Sequence, residues 1–140
     1  MIRFSRSEDY ALILVNYLAK VYGKKHVPLS KIASEYKISI LFLRNLANIL
    51  RHGGIVGAIE GKNGGYYLDK DPKQLKIGEI LALFPRDTML ECCSRGDATG
   101  TCDKVDFCDT GSIWRKLNQE FLNKVSKLSI EEFNQYQFHS

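Results

Sequence analysis

Apolar residues fall at three- and four-residue steps over the first stretch of the chain, which predicts a helix. Ser5-x-x-Glu8 fits a capping box at its start, each side chain satisfying a free backbone N–H. Leu12, Val15, Leu18 and Ala19 follow as its inner stripe, and Gly23 is placed to close it. Val27 to Tyr36 reads as a second short helix, opened by Pro28 and Ser30, with Ile32, Ala33 and Tyr36 inward. A tight turn at Lys37-Ile38 leads to Ser39, an N-cap for a third helix. That helix runs through Phe42, Leu43, Leu46, Ala47 and Leu50 and stops at Gly53-Gly54. Ile55 to Ile59 then reads as a strand and Tyr66 to Leu68 as its return partner. Between them Asn63-Gly64 is a hairpin signal, because both residues tolerate positive φ. Ile77 to Phe84 predicts another short helix, ended by Pro85; residues 86–108 are polar. A long helix is expected from about Thr110 to Leu128, with Trp114, Leu117, Phe121, Val125 and Leu128 on one stripe and Arg115, Lys116, Asn118 and Lys124 on the other face. Ser129-x-x-Glu132 is a further capping box opening a last short helix. No internal repeat or low-complexity tract is visible.

Helix, tight turn, helix is the helix-turn-helix arrangement, whose second member is the recognition helix. The hairpin behind it reads as a wing, and a lysine at its tip suits phosphate or minor-groove contact. The expected fold is mostly α with a small β-wing: a winged helix-turn-helix followed by a long C-terminal dimerisation helix. The expected organisation is residues 1–84 for the winged helix-turn-helix, 85–109 for a cysteine-rich loop, and 110–140 for the dimerisation helix and tail.

Charge sharpens this picture. Residues 1–75 carry twelve Lys and Arg against six Asp and Glu, a balance of +6, whereas residues 76–140 carry eight against ten, a balance of −2. A basic half beside an acidic half suits a phosphate-facing surface joined to a separate module, although chance asymmetry produces the same pattern. Candidate DNA-facing residues on the recognition helix are Ser39, Leu41, Phe42, Arg44 and Asn45, with Phe42 and Leu43 also candidates for the core. Arg44 can read guanine or grip phosphate. Arg51 and Lys62 are candidates for phosphate contact, and Asn63 is a further DNA-binding candidate. The expected partner is double-stranded DNA. The first apolar run, Ala11 to Val15, is too short for a secretory signal and follows Glu8 and Asp9. No segment approaches the roughly 20 apolar residues that span a bilayer. The expectation is therefore a cytoplasmic protein with no membrane partner, its cysteines in a reducing compartment.

Those cysteines carry the candidate chemistry. Cys93, Cys102 and Cys108 form a C-x8-C-x5-C pattern, with Cys92 beside the first. Thiols gathered in a reducing compartment point to a metal or redox centre rather than a disulfide framework. Cys92 and Cys93 could be buried small hydrophobes. Cys102 and Cys108 do not fit that reading, since Asp103, Lys104, Asp106 and Asp109 surround them in sequence. Structural zinc usually shows C-x2-4-C pairs, which are absent here. A zinc site and a cluster-free thiol or persulfide switch remain alternatives. No nucleophile–base arrangement or phosphate loop appears, so neither an enzyme nor a small-molecule substrate is expected.

Over nearly its whole length the chain resembles the IscR/NsrR family of iron–sulfur winged-helix regulators. The resemblance rests on Asp9-Tyr10-Ala11-Leu12, Val27-Pro28-Leu29, Ile38-Ser39, Gly61-Lys62-Asn63-Gly64-Gly65-Tyr66, Ile77-Gly78-Glu79-Ile80, and the cysteine loop followed by Trp114. It implies a homodimer bound to an imperfect palindrome and a transcriptional regulator, expected to be a repressor, sensing nitric oxide, redox state or iron supply. It also implies an iron–sulfur cluster held by three cysteines, with a 4Fe–4S form favoured over 2Fe–2S. Cys102 and Cys108 match the family's second and third ligands. Cys93 is preferred over Cys92 as the first because its spacing is closer to the family's, though still longer. The branch devoted to iron–sulfur biogenesis carries a histidine three residues after its last cysteine; here that residue is Gly111. The nitric-oxide-sensing branch uses an aspartate in helix 1 of the partner subunit, a place held by Asp9, with Glu8 as the alternate. Judged without the resemblance, Asp9 is an acidic residue favoured by the helix dipole in a first turn, and Glu8 a capping residue. The arginine that family members often carry before the wing glycine is replaced by Glu60.

Overall fold

The computed structural model of the chain describes residues 5–84 and 109–136. Ser5 opens helix α1 (Arg6–Lys20) with the expected reciprocal cap: its Oγ accepts from Glu8 N (3.2 Å), and the Glu8 carboxylate accepts from Ser5 N (2.8 Å). Helix α2 (Leu29–Tyr36) ends at Lys37, whose φ of 55° is the left-handed conformation that turns the chain into α3 (Ile40–His52). Ser39 Oγ caps α3 by accepting from Phe42 N. The wing is an antiparallel pair, β1 (Val56–Ile59) and β2 (Gly65–Leu68), in register Val56↔Leu68 through Ile59↔Gly65. Helices α4 (Ile77–Leu81), α5 (Asp109–Lys127) and α6 (Ile130–Gln135) complete the described chain.

One apolar core joins these elements. Leu14, Leu18, Ile32, Leu43, Leu46, Leu50 and Ile55 are fully or almost fully buried in it, together with Leu75, Ile77, Ile80 and Ile130 from the later segments. Helix α1 lies at its centre, touching α3, β2, α4 and α6. That position corrects the expected face of α1. Ala11, Leu14, Val15 and Leu18 are the buried residues, while Leu12 and Ala19 are only half-buried. A helix packed on several sides carries apolar residues on several sides, so its stripe does not identify the most buried one.

Other local expectations shift for nameable reasons. Helix α1 ends at Lys20, and Gly23 (φ 71°) sits in the turn beyond it. Val27 lies outside α2 and pairs with Tyr66, N to O at 2.8 Å in each direction. Leu29 takes the inward place expected of Tyr36; Tyr36 stays exposed, its ring edge-on to Tyr17. The left-handed residue of the wing loop is Gly61 (φ 113°), not Asn63 or Gly64. A five-residue loop, 60–64, needs no two-residue primed turn, and it closes through Gly64 N to Gly61 O at 3.0 Å. Helix α4 stops at Leu81 and continues as a turn to Phe84. Pro85 lies outside the described residues.

The later helices are tied back onto this core. Ile77 N donates to Leu128 O (2.8 Å) and Ile130 N to Leu75 O (2.9 Å), so residues 75–77 and 128–130 run as a short antiparallel pair. Gly78 lets α4 meet the end of α5, because a Cβ there would lie 2.9 Å from Ser126 Cβ. Glu79 accepts from Lys70 Nζ (2.8 Å) and Lys76 N (2.9 Å); these bonds, Lys70's foremost, hold its carboxyl below the usual carboxylate range. Ser129 and Glu132 form the expected capping box of α6.

Candidate nucleic-acid interface

Helix α3 divides cleanly into two faces. Leu43, Leu46, Ala47 and Leu50 point into the core, while Leu41, Arg44, Asn45, Asn48 and His52 are exposed at helical spacing on the opposite side. Leu41 is 68% exposed, an unusual place for leucine in a solvated helix but a suitable one for contact with a thymine methyl. Phe42 is half-buried, and its ring meets Tyr10 of α1 edge-on at 5.6 Å between centroids. It follows the core reading weighed for it and anchors α3 to α1. Ser39 is exposed at the α3 N-cap, Arg51 exposed in the last turn, and Lys62 and Asn63 exposed at the wing tip. Asn48 extends the outward stripe and was not among the residues singled out from sequence. The signal was available: it stands seven residues after Leu41 and three after Asn45. His52 lies one turn further on, its Nδ1 at 2.7 Å from Asn48 O.

The wing is held in place by contacts distant in sequence. Gly65 packs against the chain entering α2, where an added Cβ would lie 2.6 Å from Val27 C and 2.8 Å from Val27 O. His26 Nε2 meets the backbone carbonyl of Asn63 at the tip. On the other side, Tyr17 Oη donates to Glu35 Oε1 (3.2 Å), linking α1 to α2. Burial and then the Glu35 carboxylate push this phenol up from its ordinary range.

Cys92, Cys93, Cys102 and Cys108 lie outside the described residues. Of the two acidic candidates, Asp9 is exposed in the first turn of α1, whereas Glu8 is 4% exposed and committed to the cap. Among the described residues no three His, Cys, Asp or Glu side chains gather into a metal site. Along α5, Ile113, Leu117 and Phe121 are exposed apolar residues, whereas Val125 and Leu128 pack against the core. Among the described residues no helix is long and apolar enough to cross a membrane.

A family model described as Rrf2, iron-dependent transcriptional regulator, matches residues 4–135. The chain belongs to the Rrf2 family. Its relatives include the HTH-type transcriptional regulator IscR of Photorhabdus laumondii subsp. laumondii, 32% identical over 130 residues, which is 93% of this chain and 77% of that protein. The IscR of Cronobacter sakazakii is 33% identical over 106 residues, 76% of this chain, and the match spans only 64% of that relative's length. Among solved structures, the IscR of T. potens superposes with a TM-score of 0.74 at 23% identity, covering 97% of this chain and 88% of that one. CymR, the global cysteine regulator of B. subtilis, gives the same TM-score and identity, covering 97% and 98%. These likenesses support the winged helix-turn-helix fold of an Rrf2-family chain.

Proposed function

We propose that this Rrf2-family chain is a DNA-binding transcriptional regulator, acting as a homodimeric repressor on an imperfect palindrome. Its operator affinity is set by an iron–sulfur cluster that responds to nitric oxide, redox state or iron supply. The observation that carries the reading is the outward face of α3, where Leu41, Arg44, Asn45 and Asn48 stand clear of the core beside a lysine-tipped wing. In this reading residues 1–84 bind DNA, 85–109 hold the cluster, and 110–140 pair the subunits. The exposed Ile113, Leu117 and Phe121 support that pairing.

The donor set fits the group. Three thiolates from Cys93, Cys102 and Cys108 and one carboxylate are ligands that iron accepts. The exposure of Asp9 beside a committed Glu8 supports Asp9 of the partner subunit as the fourth. When bound, the cluster supplies a thiolate-held iron centre open to oxidation and nitrosylation. The chain's own residues supply the link to DNA. Asp9 adjoins Tyr10, Tyr10 bears on Phe42, and Phe42 lies in the first turn of α3. A displacement of the first turn of α1 therefore reaches the recognition helix through one packed aromatic pair. Reversing a 99:1 occupancy needs about 5.5 kcal/mol of differential binding, to which each subunit of a dimer contributes half.

Anaerobic purification tests the cofactor. A brown protein containing iron and acid-labile sulfide is expected. A protein that stays colourless after anaerobic reconstitution would favour the second reading, a cluster-free thiol or zinc switch on the same scaffold. The fold's equal likeness to IscR and to the cysteine regulator CymR leaves the scaffold compatible with either reading. Arg44→Ala tests the DNA face. It is expected to weaken binding to a selected operator duplex by about 1–3 kcal/mol, roughly 5- to 150-fold, measured by fluorescence anisotropy at fixed salt. An unchanged affinity would remove Arg44 from the interface.

A further inference from the structure

The turn between α1 and α2 carries Lys24, Lys25 and His26, and it stands beside the wing tip. Gly23 turns the chain with a φ of 71°, and Lys24 N and Lys25 N both donate to Val21 O, at 3.0 and 3.3 Å. The far end of the turn is fixed twice to the wing. His26 Nε2 meets Asn63 O, and Val27 and Tyr66 exchange a pair of 2.8 Å backbone hydrogen bonds. Gly65 makes this approach possible, since any Cβ there would enter the Val27 backbone. The turn that carries the two lysines is thus fixed to the wing by contacts of His26 and Val27 spanning about forty residues of sequence, not left as a free loop.

Charge gives this placement a consequence. The wing loop, residues 60–64, carries Glu60 as well as Lys62 and has no net charge. Lys62 can still meet one phosphate, but with Glu60 beside it the loop as a whole adds no net attraction for the backbone, where affinity comes from cations. The adjoining turn adds two positive charges. Lys24 and Lys25 are exposed and make no ion pair among the described residues. The groove of about 420 Å³ lined by this turn and by Ile59, Tyr67 and Leu68 of the wing strands has no acidic residue in its lining; on its other side Lys24 borders a second groove with Asp71 and Glu131, where Lys20 and Lys73 offset the two carboxylates.

We infer that the Lys24–Lys25 turn is a second phosphate-binding edge of the interface, gripping the duplex backbone beside the wing and supplying the charge that the wing lacks. This rests on the DNA-binding reading above. It assigns affinity, not base choice, to the turn, because phosphate contacts position a protein without reading sequence.

The test is the salt dependence of binding, measured by anisotropy on a fluorescein-labelled mixed-sequence duplex of about 30 base pairs, long enough to cover flanking phosphates. Each neutralised phosphate contributes about 0.9 to the slope of log K against log salt, so the double variant K24Q/K25Q is expected to lower it by roughly 1.8 per bound chain. The charge-keeping K24R/K25R is expected to retain the slope. If the wild type binds with a steep slope and K24Q/K25Q keeps it, the inference is overturned and the lysines face solvent or a partner other than DNA. If K24R/K25R loses the slope as K24Q/K25Q does, the turn acts through its shape and the phosphate assignment is also overturned. If the wild type fails to bind the duplex at any salt concentration, the DNA-binding reading falls and takes the inference with it.

Discussion

Replacing Cys102 or Cys108 by serine is expected to abolish iron and sulfide retention while leaving the winged helix-turn-helix folded. A serine hydroxyl stays protonated at neutral pH and offers a hard oxygen where iron–sulfur chemistry takes a soft thiolate. The described core is expected to survive, because Leu14, Ile32, Leu43 and Leu46 pack together in it and neither substitution changes any of them. The paired cysteines separate in the same experiment: Cys93→Ser is expected to lose iron and Cys92→Ser to keep it. The opposite result would make Cys92 the first ligand. Asp9→Ala is expected to keep some iron, release it faster under air, and blunt the response of DNA binding. A dimer of this variant with full switching would exclude the carboxylate from the mechanism. Iron and sulfide content, read beside a thermal unfolding curve, distinguishes a lost ligand from a lost fold.

Gly65→Ala is expected to be among the most destabilising single changes that add only one methyl group. Its Cβ would lie 2.6 Å from Val27 C, 2.8 Å from Val27 O and 2.9 Å from Pro28 N. All three are backbone atoms, so no side chain can swing aside and the strand entering α2 must move. Overpacking of this kind costs about 1–3 kcal/mol. Losing the Val27–Tyr66 hydrogen bonds adds about 1 kcal/mol for each bond broken. A total of about 2–5 kcal/mol would lower Tm by roughly 10 °C in a domain of this size. DNA binding would weaken as well, since the same contact seats the wing beside the helix-turn-helix. A Tm within a degree or two of wild type would mean that the two segments part easily and that the wing is not anchored through Val27.

The difference between what the residues foretold and what they did not follows the range of the interactions. Both serine capping boxes, at Ser5–Glu8 and Ser129–Glu132, form as read, because each is settled within four residues. The turn at Lys37, the Ser39 cap and the stop at Gly53 belong to the same local class. The inner face of α3 was legible because Leu43, Leu46, Ala47 and Leu50 recur at helical spacing, although Leu41 and Ile49 lie outside it, whereas α1, apolar on several sides, hid its most buried face. The bridge from Val27 to Tyr66 and the meeting of His26 with Asn63 were invisible, for they join residues 39 and 37 apart that no local pattern connects. The docking of Ile130 into the core was invisible for the same reason: it depends on the pairing of residues 75–77 with 128–130. The candidate cluster ligands were legible only as spacing and resemblance. Of that set, Asp9 and Glu8 lie among the described residues, where burial and the cap separate them.

The most direct test of the account is the affinity of one operator duplex for the same protein with its iron in place, after anaerobic removal of the iron, and after reconstitution. Coupling between two sites typically changes affinity by about 5- to 150-fold, and by linkage DNA must shift cluster retention by the same factor. A reversible change of that size is expected, with iron content and affinity moving together. An affinity that stays constant while iron falls to zero and returns would contradict it.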